Sequence, residues 1–304
     1  MRRLVFVAML SFMTSPLFGQ TSPDTVITHL QSLATFRDAR ALATDGKGIL
    51  CVTDAGKNTL YKLASDGRII GQVGGTGSGN QQFDEPTDVE ATNGLDLYVA
   101  DFGNKRVQHF SGELRFLESI PLVFETHTAR QIAGYFSPNA DYDNKLILSE
   151  GEPIAVTVNI AQELFVADQG HAFIAKWDRG RRIQRFFGRY DAGDAAVLDP
   201  VSMVATANGL VFVADRGRDE VMVFDAFGTF LRRFGDEKLK DLHGIALFGD
   251  RLIVSGAHHI WVYEADGTQL FTYALNLKEP VVDVVYAQHH LYVLTPTSLG
   301  RFKP

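Results

Sequence analysis

The sequence predicts an all-β chain: six four-stranded antiparallel blades set in a ring, a β-propeller closed by a strand from near the N-terminus. Three observations carry this. One strand-like motif recurs six times after residue 36. Most copies follow one another at about 40–47 residues, the length of one propeller blade. No amphipathic helix of any length interrupts them.

The motif is plainest in Leu97-Tyr98-Val99-Ala100-Asp101-Phe102-Gly103. It returns as Leu164-Phe165-Val166-Ala167-Asp168-Gln169-Gly170 and as Val211-Phe212-Val213-Ala214-Asp215-Arg216-Gly217. Leu50-Cys51-Val52-Thr53-Asp54-Ala55-Gly56 precedes them. Leu252-Ile253-Val254-Ser255-Gly256 and Leu291-Tyr292-Val293-Leu294-Thr295 follow, with Ser255 and Thr295 read in place of the acid. Each copy leads into an apolar run ending in a large residue: Leu63, Phe110, Trp177, Phe224, Tyr263 or Phe302. Turn residues come next, among them Asp66-Gly67 and Asp266-Gly267, because glycine tolerates the positive φ of a tight hairpin turn. A further strand follows, as in Phe230-Leu231-Arg232-Arg233-Phe234.

The second unit shows all four elements. Residues 86–92 read as strand a, 95–100 as b, 106–110 as c and 114–120 as d. Strands b and c are apolar at nearly every position, which fits sheets covered on both faces by neighbouring blades. Each linker from d to the next a carries an apolar residue three before a Pro-like position: Phe83 to Pro86, Val197 to Pro200, Leu239 to Leu242 and Leu277 to Pro280. The sixth unit ends after strand c. Residues 26–33 form a strand-like run with no blade of its own, so residues 20–36 are expected to supply the missing outer strand and residues 37–304 the propeller. Units two and three are separated by an extra stretch, about residues 121–152, and loops of such length usually serve function.

The chain carries 29 Lys and Arg against 36 Asp and Glu, a net charge of −7. That opposes general attraction to nucleic acid, which needs a basic footprint. Residues 1–19 have the order of a secretory signal: Arg2-Arg3, an apolar run, then Gly19. Export to a periplasm or out of the cell is expected. No segment is apolar for the roughly 20 residues of a membrane span. The single cysteine, Cys51, lies in an apolar strand and reads as core. The glycine-rich stretch from Gly74 to Gly79 lacks the Lys-Ser/Thr and helix of a phosphate loop, and reads as an inter-blade linker.

The repeated acids Asp54, Asp101, Asp168 and Asp215 open the b–c turns. A short carboxylate there accepts backbone N–H groups, so these read as structural. In a propeller the b–c turns and d–a linkers share one face around the channel. His127, His171, Arg216, Arg218, His243, His258 and His259 fall there and form the expected face for a protein or small-molecule partner. No cofactor is expected. In the alternative, a metal-dependent hydrolase or lyase, His171, His243 and His258 would offer imidazoles to Zn. Asp38, Asp88 and Asp283, near the starts of strands a, would offer oxygens to Ca. Arg182, Arg185, Arg232 and Arg233 fall on outer d strands, where charge blocks edge-to-edge pairing.

The order Pro, then a strand ending Val-Ala-Asp, then Gly-Asn-x-Arg-Val, as in Asp101-Phe102-Gly103-Asn104-Lys105-Arg106-Val107, resembles the NHL-repeat propellers. The linker from Val73 to Phe83 with Pro86 is similar to that family's inter-blade connection. The resemblance implies a six-bladed fold of the bacterial exported type acting as a binding scaffold. Through related propellers, it also admits lyase or lactonase chemistry on a channel metal. Enzymatic activity is left open, with binding preferred.

Overall fold

The computed structural model describes residues 24–45, 47–91, 93–127, 146–235 and 239–304. The expected signal, residues 1–19, lies outside them. Two short strands open the described chain, β1 (Asp24–Ile27) and β2 (Gln31–Thr35). Blade one follows as β3 (Ala39–Thr44), β4 (Leu50–Asp54), β5 (Thr59–Leu63) and β6 (Ile69–Gly74). Blade two is β7 (Pro86–Glu90), β8 (Asp96–Asp101), β9 (Arg106–Ser111) and β10 (Phe116–Pro121). A hairpin, β11 (Val123–His127) and β12 (Leu146–Glu150), occupies the long spacer, whose residues 128–145 lie outside those described.

Blade three is β13 (Pro153–Val158), β14 (Leu164–Asp168), β15 (Phe173–Trp177) and β16 (Ile183–Phe187). Blade four is β17 (Pro200–Ala205), β18 (Leu210–Asp215), β19 (Glu220–Asp225) and β20 (Phe230–Phe234). Blade five is β21 (Leu242–Phe248), β22 (Arg251–Gly256), β23 (His259–Glu264) and β24 (Gln269–Leu275). Blade six is β25 (Asp283–Ala287), β26 (His290–Leu294) and β27 (Ser298–Phe302), completed by β2. The one helical turn among the described residues is Gly193–Ala195, and no helix there is long and apolar enough to cross a membrane.

The inner strands are apolar because each blade is sandwiched between two others. Every residue of β14 and β15 is buried, and one apolar cluster fills each of the six gaps between blades. In the gap between blades one and six, Val52 and Tyr61 meet Tyr292 and Leu294. The outer strands face solvent and expose Ile69, Leu117 and Leu231. Cys51 is buried core, and burial pushes its thiol up to about 12.

The repeated acids clasp the incoming linker of their own blade. Asp54 accepts the N–H groups of Arg37 and Asp38 at 3.0 and 2.9 Å, and Asp215 those of Leu198 and Asp199 at 2.7 and 3.0 Å. Asp101 takes Asp84 N at 2.8 Å and Arg106 Nε at 2.8 Å. Asp168 takes Glu152 N at 2.8 Å and His171 N at 2.6 Å. The fit is close: a Cβ on Gly151 would stand 2.1 Å from Asp168 Oδ2. Arginines of the outer strands do more than charge an edge. Arg232 Nη2 donates to Ala265 O of the next blade at 2.5 Å, and Arg185 reaches Phe227 O likewise.

Two expectations are corrected. Residues 26–33 are not one strand. The run breaks at 28–30; β2 closes blade six against β27, while β1 lies parallel to β24 as a fifth strand on blade five. The chain steps from one blade's outer edge to the next, and a straight strand cannot serve both. The repeat frame also slips by one in the last two blades. Gly256, not Ser255, stands opposite Leu242 as Asp215 stands opposite Pro200. There the linker closes on bare backbone, and a Cβ at Gly256 would stand 2.5 Å from Lys240 O. In blade six Asp283 pairs with Leu294 as Ser202 pairs with Ala214, so Val281 rather than Pro280 holds the position of Pro200.

Candidate ligand-binding channel

The six strands a (β3, β7, β13, β17, β21 and β25) line a central channel with a cavity at either end. Each strand a offers successive residues to successive levels of the channel. At the b–c/d–a face the cavity measures about 470 Å³. Two columns of the repeat and the linker residue Glu85 build it. The second residues of the strand-a frame supply Arg40, Thr87, Ile154, Val201, His243 and Val282. The residues just after the repeated acids supply Ala55, Phe102, Gln169 and Arg216. Apolar walls with a few convergent polar groups are the usual makeup of a ligand pocket.

Of the expected partner-face residues, the structure brings Arg216 and His243 to this mouth. Arg216 is exposed, with Nε 2.8 Å from Asp199 Oδ2, and His243 turns Nδ1 to the Val281 carbonyl. Arg218 is spent on the linker, donating from Nε to Ala196 O at 2.7 Å. His171 sits with Nδ1 3.1 Å from Asp168 Oδ1 and its ring edge-on to Phe124 at 4.8 Å. Burial raises Asp168 above the ordinary carboxylate range, opposed by the N–H groups of His171 and Glu152. His258 and His259 are exposed, and His259 stacks on Trp261 at 5.4 Å. His127 ends β11 opposite Leu146. Among the described residues no three His, Cys, Asp or Glu side chains group to hold a metal ion, so His171, His243 and His258 do not converge. Asp38 is not at the channel with Asp88 and Asp283; it pairs with Arg40 at 2.7 Å.

The third column forms the waist: Ala41, Asp88, Ala155, Ser202, Gly244 and Asp283, each opposite strand b of its own blade. Polar side chains occur in alternate blades, and each reaches the next. Asp88 Oδ2 accepts Val156 N at 2.7 Å, Ser202 Oγ accepts Ile245 N at 3.3 Å, and Asp283 Oδ2 accepts Leu42 N at 2.8 Å. Burial pushes Asp283 up to about 7 and raises Asp88 well above the carboxylate range; the nearby Asp283 and Glu90 add to the shift of Asp88. Sequence reasoning missed Arg40, Thr87, Phe102 and Gln169 at the mouth, and Ser202 at the waist. The signal was present: written in columns, the repeats show these as polar or variable positions beside invariantly apolar ones.

Residues 83–110 match the NHL repeat. A stretch of 98 residues is 28% identical to the protein brain tumor of Drosophila melanogaster, covering 32% of this chain and 10% of that relative. Among solved structures, virginiamycin B lyase from Staphylococcus aureus superposes with a TM-score of 0.59 at 12% identity, covering 90% of this chain and 98% of the lyase. A putative gluconolactonase gives a TM-score of 0.64 at 13% identity, covering 92% and 94%. At such identities the likeness is one of fold. The chain is a six-bladed β-propeller that carries an NHL repeat in its second blade.

Proposed function

We propose that this chain is an exported propeller, periplasmic or secreted, that binds a protein or small-molecule ligand at the b–c/d–a mouth of its channel. One observation carries the reading: five blades contribute polar or charged groups to the 470 Å³ mouth, where Arg40, Arg216 and His243 stand beside Glu85, Thr87 and Gln169. Such a site takes a hydrogen-bonding ligand with a carboxylate for the guanidinium groups, since guanidinium forks match carboxylates, and a donor for Glu85. The metal-dependent hydrolase or lyase is the weaker reading, because the three histidines it calls for are not grouped.

A phage-displayed peptide library panned on the purified protein tests it. Selected peptides are expected to bind the wild type and to lose at least about tenfold on the double variant Arg216→Ala, His243→Ala, the scale of one lost charged contact. Unchanged affinity moves the site elsewhere. Stoichiometric Zn or Ca in the purified protein, lost together with stability when His171 is replaced, would favour the enzyme.

A further inference from the structure

The opposite end of the channel holds a second cavity of about 490 Å³, walled by Leu42, Val89, Val156, Met203 and Ile245 and reaching the waist at Asp88 and Asp283. Its chemistry is unlike that of the mouth. Each oxygen of the two waist carboxylates accepts one backbone N–H: Val89 and Val156 for Asp88, Val284 and Leu42 for Asp283. A carboxylate has about four acceptor sites, so each keeps capacity in reserve. Among the described residues neither forms an ion pair with a cation. The charged neighbours that Asp88 feels are acids, Asp283 and Glu90. A buried charge without a partner is costly, and it either takes up a proton or awaits a counter-charge.

A second, separate observation lies at the same level. The hydroxyl of Ser255 is buried and has no hydrogen-bond partner among the described residues. A Cβ at Gly244 would stand 2.3 Å from Asp283 Oδ1 and 2.8 Å from Ser255 Oγ, so both oxygens converge on the gap that this glycine keeps open. The waist thus presents carboxylate and hydroxyl oxygens able to accept, beneath apolar walls, and a serine hydroxyl can turn its own proton aside.

We propose that this a–b-face cavity binds a small organic cation, an ammonium group on an apolar body, with the ammonium at the Asp88–Asp283 waist. An ammonium brings three donors, which the free acceptor sites of the two carboxylates and the Ser255 oxygen can take up. A hard divalent metal fits less well. It asks for six or more oxygen ligands, whereas the described residues group no three metal-binding side chains. The ring pair Phe248 and Tyr286, centroids 3.8 Å apart and tilted 47° to one another, lines the wall and gives an apolar body a surface to lie on. Charged groups at the rim are Asp45, Lys47 and Glu90.

Phenethylammonium at pH 8, titrated into the full chain by calorimetry, tests this against the neutral isostere 2-phenylethanol and against CaCl₂ alone. The expected result is one saturable site for the ammonium. Loss of at least about tenfold is expected for the alcohol and for Asp88→Asn or Asp283→Asn, the scale of a buried charge contact removed. Ala205→Phe fills the cavity wall without touching a carboxylate and is expected to abolish binding, which keeps the test sound should an Asn variant misfold. Arg216→Ala with His243→Ala is expected to leave it unchanged, separating this site from the mouth. Equal binding of alcohol and ammonium, no saturable ammonium binding, indifference to Ala205→Phe, or saturation by CaCl₂ alone would each overturn the proposal.

Discussion

Removal of residues 24–35 is the perturbation that bears most directly on how the ring is held shut. β2 pairs with β27 through four residue pairs, Gln31 with Arg301 to Thr35 with Ser298. Leu33 and Ala34 pack on the cluster between blades one and six, and Ile27 and Leu30 on the one between blades five and six. About four ladder bonds at about 1 kcal/mol each, net of water, give about 4 kcal/mol. Half-burial of Leu33 and Leu30 adds roughly 2 kcal/mol. The loss of about 6 kcal/mol is a large part of the roughly 5–15 kcal/mol that stabilises a domain. It also bares the edge of β27, an open template for association. Melting followed by circular dichroism should fall by roughly 12–24 °C, at about 2–4 °C per kcal/mol in a chain of this class. Size-exclusion should show oligomers. Removing residues 24–27 alone strips only the parallel fifth strand, in which Val26 is 58% exposed, and should cost about 1–2 kcal/mol. If the longer truncation melts within about 2 °C of the intact protein and stays monomeric, β2 is not the clasp.

Three further outcomes are expected. Asp215→Ala orphans the N–H groups of Leu198 and Asp199, and urea unfolding should show a loss of about 2–5 kcal/mol. Asp283 has its folded value pushed up to about 7 from an unfolded value near 4, so between these the folded state holds the extra proton. Stability should therefore fall as pH rises through that window. Urea midpoints at pH 5 and 8 should differ less in Asp283→Asn than in the wild type. Protein recovered from an exporting host should begin near Gln20, as read by N-terminal sequencing, and an intact Met1 on cytosolic material would reject the signal.

The sequence by itself determined the ring. Six copies of one motif, the apolar b and c strands and the missing last strand d already require blades that bury their faces on one another. The repeated acids were legible too, because a carboxylate recurring at the same turn does the same local work each time: Asp54, Asp101, Asp168 and Asp215 all hold their own linker. Where the motif decayed, in blades five and six, reading by residue type slipped by one position. Only the strand register showed Gly256 and Val281 in the frame. The site was less legible. His171 and Arg218 lie on the expected face, yet their side chains serve Asp168 and the Ala196 carbonyl, and nothing along the chain foretells a bond to an atom 22 residues away. Asp88 and Asp283 were legible as carboxylates near the starts of strands a, but their burial and their meeting at one waist were decided by tertiary structure. Asp88 and Asp283 are 195 positions apart in sequence and acquire a shared environment only when the ring closes. Closure removes water from both and sets each against the neighbouring blade's backbone, and burial of that kind has no signature in a linear pattern.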